Sequence, residues 1–151
     1  MLPHKFWVAI LIVILIDQAS KFFLSGLFGT AFTNQGISFG LFASYDKIIV
    51  LVIMAALIIV LKSSQQLLNQ HPVLMGLFVG GGVSNLIDRL LFGAVRDWMP
   101  LAFFGLHNNL ADWAIAVSVV GVFFLLSRGI LIKYQNKSAD HFPKNGESQI
   151  D

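Results

Sequence analysis

Long apolar runs set the first constraint on this chain. A run of some twenty apolar residues is stable without partners in only one solvent, the hydrocarbon of a bilayer. Four such runs are present. The first is Phe6 to Ile16, continuing past Asp17 and Lys21 to about Leu24; the second is Ile48 to Leu61, lengthened backwards to Tyr45. The third runs from Val73 to about Phe92, and the fourth from Leu110 to about Ile132. Each comes to about 17–23 residues, which at ~1.5 Å per residue crosses a core of ~30 Å, the second only just. The 151 residues are 56% hydrophobic and 12% charged, more apolar surface than a soluble domain of this length can bury. The fold class expected is an all-α membrane protein of four transmembrane helices.

The first run opens on His4 and Lys5, as a secretory signal does. A cleaved signal is followed by a polar mature domain. Here Asp17-Gln18-Ala19-Ser20-Lys21 is followed by more Phe and Leu, so the run is read as a retained span. The chain has no cysteine, which excludes disulfides, thiolate zinc sites and a cysteine nucleophile. A formal charge of +2 gives no reason to expect a nucleic-acid partner. Residues 1–134 are read as one domain. The tail 135–151 is polar and aperiodic, and is expected to be disordered and cytoplasmic.

Lysine and arginine give the orientation. With the N-terminus inside, the cytoplasmic side holds Lys5, Lys62, Arg128, Lys133, Lys137 and Lys144. The outer side holds Lys47 and Arg96, with Lys21 and Arg89 near helix ends. The bias places both termini in the cytoplasm.

Charges inside the spans carry the functional information, since each costs ~2.5–3.5 kcal/mol at a helix centre on insertion scales. Asp17 and Lys21 come late in span one; Asn85, Asp88 and Arg89 come late in span three. Asp97 follows span three, and Asp112 opens span four. In the expected orientation all of them gather in the outer leaflet or at its surface. An ion carrier needs polar groups along a path through the midplane, whereas a reaction site open to one face needs them at one depth. The sequence has the second pattern.

Asp17 and Lys21 share a helix face, as an ion pair that lowers the insertion cost or as part of a site. In the first outer loop, Ala31 to Thr33 and Ile37 to Phe39 are candidate short strands about an Asn34-Gln35-Gly36 turn. That small β-like segment is either an ordinary interfacial loop or a lip for an extended peptide, with Asn34 offering donor and acceptor. Gly76 and Gly80 have the spacing of close helix packing, or leave room for a substrate helix. Asn85, Asp88 and Arg89 line one face. Asp97 and Asp112 bracket one outer loop beside Asn109. Asp112 suits a helix cap. As a pair, the two carboxylates suit peptide hydrolysis: one takes a proton from water while the other, as the acid, hydrogen-bonds the carbonyl and later protonates the amine. Close approach enforces that split, because like charges about 3 Å apart do not both ionise cheaply. No His-Glu-x-x-His motif is present, and only His107 falls on the outer side, where Ser38 or Ser44 would be its serine partner.

Taken together, Asp17-Gln-Ala-Ser-Lys21, Asn34-Gln-Gly-Ile-Ser-Phe-Gly40, Gly81-Gly-Val-Ser-Asn85-Leu-Ile-Asp88-Arg89, Val95-Arg-Asp97-Trp and Asn109-Leu-Ala-Asp112 resemble lipoprotein signal peptidase, or signal peptidase II. The motifs stand in the family's order between four spans, over residues 5–132. The resemblance implies an aspartic endopeptidase with a catalytic pair at Asp97 and Asp112. It also implies substrate contacts from Asp17, Lys21, Asn34, Asn85, Arg89 and Asn109, with Asp88 supporting Arg89. Its substrate would be a prolipoprotein, cut before a cysteine already carrying diacylglyceryl, in a bacterial cytoplasmic membrane. It implies no metal and no cofactor; the expected partners are that substrate and membrane lipid, with the enzyme a monomer. Two positions depart from the pattern: Arg96 precedes Asp97 where an apolar residue is common, and Asn108 precedes Asn109 where an aromatic is common. The competing class is a non-enzymatic small transporter or assembly protein whose outer polar cluster binds a partner.

The orientation has a direct test, since the chain has no native cysteine. Single cysteines at Ser44 and Gly105 are expected to react with an impermeant thiol reagent in intact cells, and one at Gln66 is not. Labelling at Gln66 alone would reverse the topology.

Overall fold

A computed structural model describes residues 2–27, 32–34, 65–101 and 106–141, with the single positions 52, 55, 59 and 62. Helix α1 spans His4–Leu27. It is apolar on nearly every side, so its orientation is set by the few residues that are not. Phe6, Ala9, Val13, Asp17 and Lys21 are buried, each three or four residues from the next, and form one stripe. Trp7, Val8, Leu11, Ile12, Leu15, Ile16, Phe22 and Phe23 are exposed. Charge inside and large apolar side chains outside is the reverse of a water-soluble helix, and is what a hydrocarbon solvent demands.

The short helix α2, Gln65–Gln70, buries Leu68. Pro72 then opens α3, Pro72–Phe92, where its missing N–H costs nothing. The helix ends because Gly93 adopts φ 70° and donates its N–H to the Arg89 carbonyl at 3.0 Å, a left-handed cap that suits glycine. Helix α4 is Leu110–His141. Among the described residues, three stretches are long and apolar enough to cross a membrane: His4–Leu24, Pro72–Phe92 and Leu110–Gly129. The expected second span, Tyr45 to Leu61, lies outside the described residues apart from Val52, Ala55 and Ile59, each helical.

The glycines of α3 settle their two readings in favour of packing. A Cβ at Gly76 would lie 2.6 Å from the Cβ of Ala9, and one at Gly80 3.0 Å from the Cβ of Val13, so this edge of α3 rests on α1. A Cβ at Gly81 would lie 2.5 Å from the Ala111 carbonyl oxygen, so the next position faces the first turn of α4. Missing side chains bring three backbones close enough for short polar groups to bridge them.

Among the described residues, four short strands lie between the helices. Strand β1, Phe32–Asn34, pairs antiparallel with β2, Val95–Asp97, in the register Phe32 to Asp97, Thr33 to Arg96 and Asn34 to Val95. Strand β3, Met99–Leu101, pairs antiparallel with β4, Leu106–Asn108. The strand expected at Ala31 to Thr33 is therefore present one residue later, but its partner is remote. A period of two identifies an extended segment and is silent about its neighbour. Here the turn at Gly93 delivers β2 alongside β1. The other proposed strand, Ile37 to Phe39, lies outside the described residues.

The chain divides into two compact units, Met1–Val119 and Val120–Asp151, with the boundary inside α4. All the candidate site residues fall in the first. In the second, Ser127 Oγ donates back to the Phe123 carbonyl at 2.9 Å. The tail was expected to lose structure after residue 134, yet α4 continues to His141. The segment Gln135 to Asp140 contains neither Gly nor Pro, so nothing in it breaks a helix already under way. Residues 142–151 lie outside the described residues.

Replacing Gly81 with Val is expected to cost roughly 1–3 kcal/mol through overpacking against the Ala111 backbone. A Cβ at Gly129 meets nothing within 4 Å, so Gly129→Ala should leave the protein unchanged. Thermal unfolding of the two variants in one detergent compares them.

Candidate active site

The buried end of the α1 stripe meets the buried face of α3, and there the charges neutralise one another. Lys21 Nζ lies 2.7 Å from Asp17 Oδ2, 3.2 Å from Asp88 Oδ2 and 2.9 Å from Asn85 Oδ1. An ammonium has three protons, and here each has its acceptor. Lys21, Asp17 and Asp88 side chains are all 0% exposed. A second cation completes the balance. Arg96 Nη2 donates to Asp88 Oδ1 at 2.8 Å and to Gln18 Oε1 at 2.7 Å, and the Arg96 backbone N–H donates to Asp88 Oδ2 at 3.0 Å. Two carboxylates and two cations thus form a cluster of zero net charge, which is what makes ionic groups tolerable at this depth.

Polar neighbours fill the remaining positions. Gln18 Nε2 donates to Asp88 Oδ1 at 2.9 Å and to Ser84 Oγ at 3.0 Å, and Ser84 Oγ donates to Asp17 Oδ2 at 2.7 Å. The guanidinium of Arg96 also sits 4.4 Å over the Phe92 ring.

From this cluster two asparagines lead to the two remaining aspartates. Asn85 accepts from Lys21, an obligate donor, which fixes its amide so that Nδ2 donates to Asp112 Oδ1 at 2.7 Å. Asn109 caps α4. Its Oδ1 accepts from the Asp112 N–H at 3.0 Å, which turns its Nδ2 to Asp97 Oδ1 at 2.6 Å. In a reciprocal capping box the acid at the third helical position returns to the N-cap N–H. Here the Asn109 N–H donates to Asn108 Oδ1 at 2.9 Å instead, which leaves the Asp112 carboxylate for other work. Among the described residues its only hydrogen bond is the one from Asn85. Asp17 closes the first turn of α4 by accepting the Ala111 N–H at 2.9 Å. Of the two carboxylates, Asp97 is 3% exposed and Asp112 is half-buried.

Seven of the nine candidate residues named from sequence are linked by these direct contacts: Asp17, Lys21, Asn85 and Asp88 in the cluster, and Asp97, Asn109 and Asp112 beyond it. Arg89 is half-buried, and its Nη1 reaches the Asn85 carbonyl at 3.5 Å. Asn34 is placed by register opposite Val95, two positions along the ladder from Asp97. His107 stands in β4 opposite Pro100, while Ser38 and Ser44 lie outside the described residues. Gln18, Ser20 and Ser84 join the network without standing out in the sequence. Gln18 and Ser84 are uncharged and flank the charged residues they serve, so pattern alone gave no cue. Arg96, which departs from the family pattern, is the second cation of the cluster. Among the described residues no group of three or more His, Cys, Asp or Glu side chains is placed to hold a metal ion.

The family model described as Signal peptidase (SPase) II matches residues 9–128. The chain belongs to the signal peptidase II family. Among individual relatives, the lipoprotein signal peptidase of Moorella thermoacetica is 35% identical over 127 residues, covering 73% of this chain and 84% of that protein. The lipoprotein signal peptidase of Anaplasma phagocytophilum is 33% identical over 129 residues, covering 72% and 83%. The fold is shared with a bacterial membrane enzyme solved by the in meso method at 2.3 Å resolution, with a TM-score of 0.69 at 18% identity over 98% of this chain and 95% of that one. A second, solved by the same method at 1.9 Å, gives 0.64 at 21% identity over 82% and 92%. Signal peptidase II membership covers every described residue of the cluster and of the aspartate pair.

Removing Lys21 alone leaves two carboxylates short of a buried cation. Lys21→Met is expected to destabilise the protein by about 3–5 kcal/mol. Adding Asp17→Asn should recover part of that loss. Equal stability of the single and double variants in a denaturation series would mean that Lys21 does not balance this charge.

Proposed function

We propose that this enzyme cuts signal peptides from bacterial prolipoproteins, hydrolysing the bond before a diacylglyceryl-cysteine with water activated between Asp97 and Asp112. One observation carries the mechanism. A single side chain, Asn109, accepts the backbone N–H of Asp112 and donates to the carboxylate of Asp97, so both acids are tied to one hub at the start of α4. Family membership supports the activity, and the names of the relatives supply the substrate class.

In this reading a water lies between the two carboxylates. The ionised one takes a proton as the water oxygen attacks the scissile carbonyl, and the protonated one hydrogen-bonds the carbonyl oxygen. Collapse of the tetrahedral intermediate breaks the C–N bond, and the proton passes to the departing amine of the cysteine. Each acid has an asparagine N–H on its Oδ1, which holds the two in fixed orientations before substrate arrives. Asn34, Asn85, Arg89 and Asn109 are the proposed substrate contacts. Asp17, Lys21 and Asp88 are proposed to act from behind them, since their polar atoms are engaged with one another.

The site faces the outer side of the cytoplasmic membrane, with both termini inside and the enzyme acting as a monomer. The lysine and arginine bias supports that orientation. Residues 17–21, 84–89 and 109–112 meet at one end of their helices, which supports a site near one headgroup layer. A substrate held there by two acyl chains, each buried CH₂ contributing ~0.8 kcal/mol, has only the membrane plane to search. The gain is in position and orientation of the scissile bond.

Asp97→Asn and Asp112→Asn should each insert normally and lose cleavage of a lipidated precursor by orders of magnitude, while a chelator leaves the wild type unaffected. Robust cleavage by either variant at normal expression would remove that residue from the chemistry. The lipid is tested separately: kcat/KM for one precursor should fall when its diacylglyceryl group is absent from the same bilayer.

A further inference from the structure

The residues on either side of Asp97 are both fastened to α1. Arg96 Nη2 donates to Gln18 Oε1 at 2.7 Å, and Trp98 Nε1 donates to Ser20 Oγ at 3.1 Å. Ser20 Oγ in turn donates to the Asp17 carbonyl at 2.8 Å. Alternation along an extended chain sends Arg96 and Trp98 to one side and Asp97 to the other. The contacts agree: the flanking residues reach α1, while Asp97 accepts from Asn109. The same turn of α1 also holds the other acid, because Asp17 Oδ1 accepts the Ala111 N–H next to Asp112. Residues 17–20 of α1 therefore touch the supports of both carboxylates, one through the strand and one through the first turn of α4.

We propose that Arg96 and Trp98 are positioning residues that clamp Asp97 to α1 through Gln18 and Ser20, so that one rigid helical turn sets the separation of the two acids. The proposal rests on the aspartyl reading of the site. It gives a purpose to Arg96, which departs from the common family pattern, and to Gln18 and Ser20, which touch neither acid. A strand of three residues is a weak frame by itself, and two flanking anchors stop it from sliding or rolling. Misplacement of a reacting group by about 1 Å can cost on the order of a hundredfold in rate.

The test counts active sites and measures turnover per site. Full-length enzyme in bilayers is titrated with a precursor-like peptide bearing a tetrahedral hydroxyl carbon at the scissile position, and then assayed on a lipidated precursor. Trp98→Phe keeps the ring and loses the donor; kcat per titrated site should fall about three- to tenfold, with KM within about twofold. Arg96→Met should lower kcat per site about ten- to a hundredfold, as expected for charge-assisted bonds. Ser20→Ala should lower kcat per site at least as far as Trp98→Phe, and the double variant should be no worse than Ser20→Ala, because Ser20→Ala already removes the Trp98–Ser20 bond. Wild-type kcat per site in Trp98→Phe and Arg96→Met, with or without a loss of titratable sites, would overturn the clamp. If Arg96→Met does not fold, Arg96→Lys keeps the charge with fewer anchors, and a wild-type kcat per site there overturns it equally. Cleavage by Asp97→Asn would instead defeat the aspartyl reading on which the clamp depends.

Discussion

Lys21 is a fully buried ammonium with three acceptors, and the arrangement of the site follows from the need to satisfy it. Its partners come from α1 itself, in Asp17, and from α3, in Asn85 and Asp88. Water is not available to replace a missing partner at this depth, so the bonds dictate how the two helices are rotated about their axes. The glycines at positions 76 and 80 make the approach close enough for the contacts to form. Once α1 and α3 are locked, Asn85 has a defined orientation, and so has the N–H it gives to Asp112.

The four aspartates of the site fall into two pairs by what they touch. Asp17 and Asp88 hold cations and carry structural load, whereas Asp97 and Asp112 each receive a neutral amide on Oδ1. All four are aspartates near the same end of the helices. Asp17 and Asp88 lie against an ammonium or a guanidinium, and Asp97 and Asp112 each accept an asparagine N–H. On the proposed mechanism the asparagines orient the pair that handles the proton.

The spans were legible because hydropathy and length bear directly on bilayer thickness. The first, third and fourth are found where the apolar runs predict them, and Asp17, Lys21, Asn85 and Asp88 meet as their shared helix faces suggest. The strands were less legible. Phe32–Asn34 was recognisable as extended, yet its partner Val95–Asp97 lies some sixty residues away and is brought there by a helix end, which no local pattern encodes. Gln18 and Ser84 were missed for a related reason. Uncharged polar residues in a span are common, and only the positions of other helices show that these two close a network. Arg96 looked anomalous beside Asp97 in sequence, and its partner Asp88 becomes visible only when the chain turns back at Gly93.

The hub at Asn109 also bears on how the protein matures in the membrane. Its carbonyl oxygen caps the first turn of α4 and its amide holds Asp97, so starting that helix and setting the aspartate pair share one side chain. A chain synthesised only as far as α3 has its charge cluster partly built but contains neither acid. On the proposed aspartyl mechanism, the pair is complete only once α4 has docked its first turn on Asp17. On that mechanism proteolytic competence waits for the helix that carries Asp112, because Asn109 and Asp112 arrive together in its first turn.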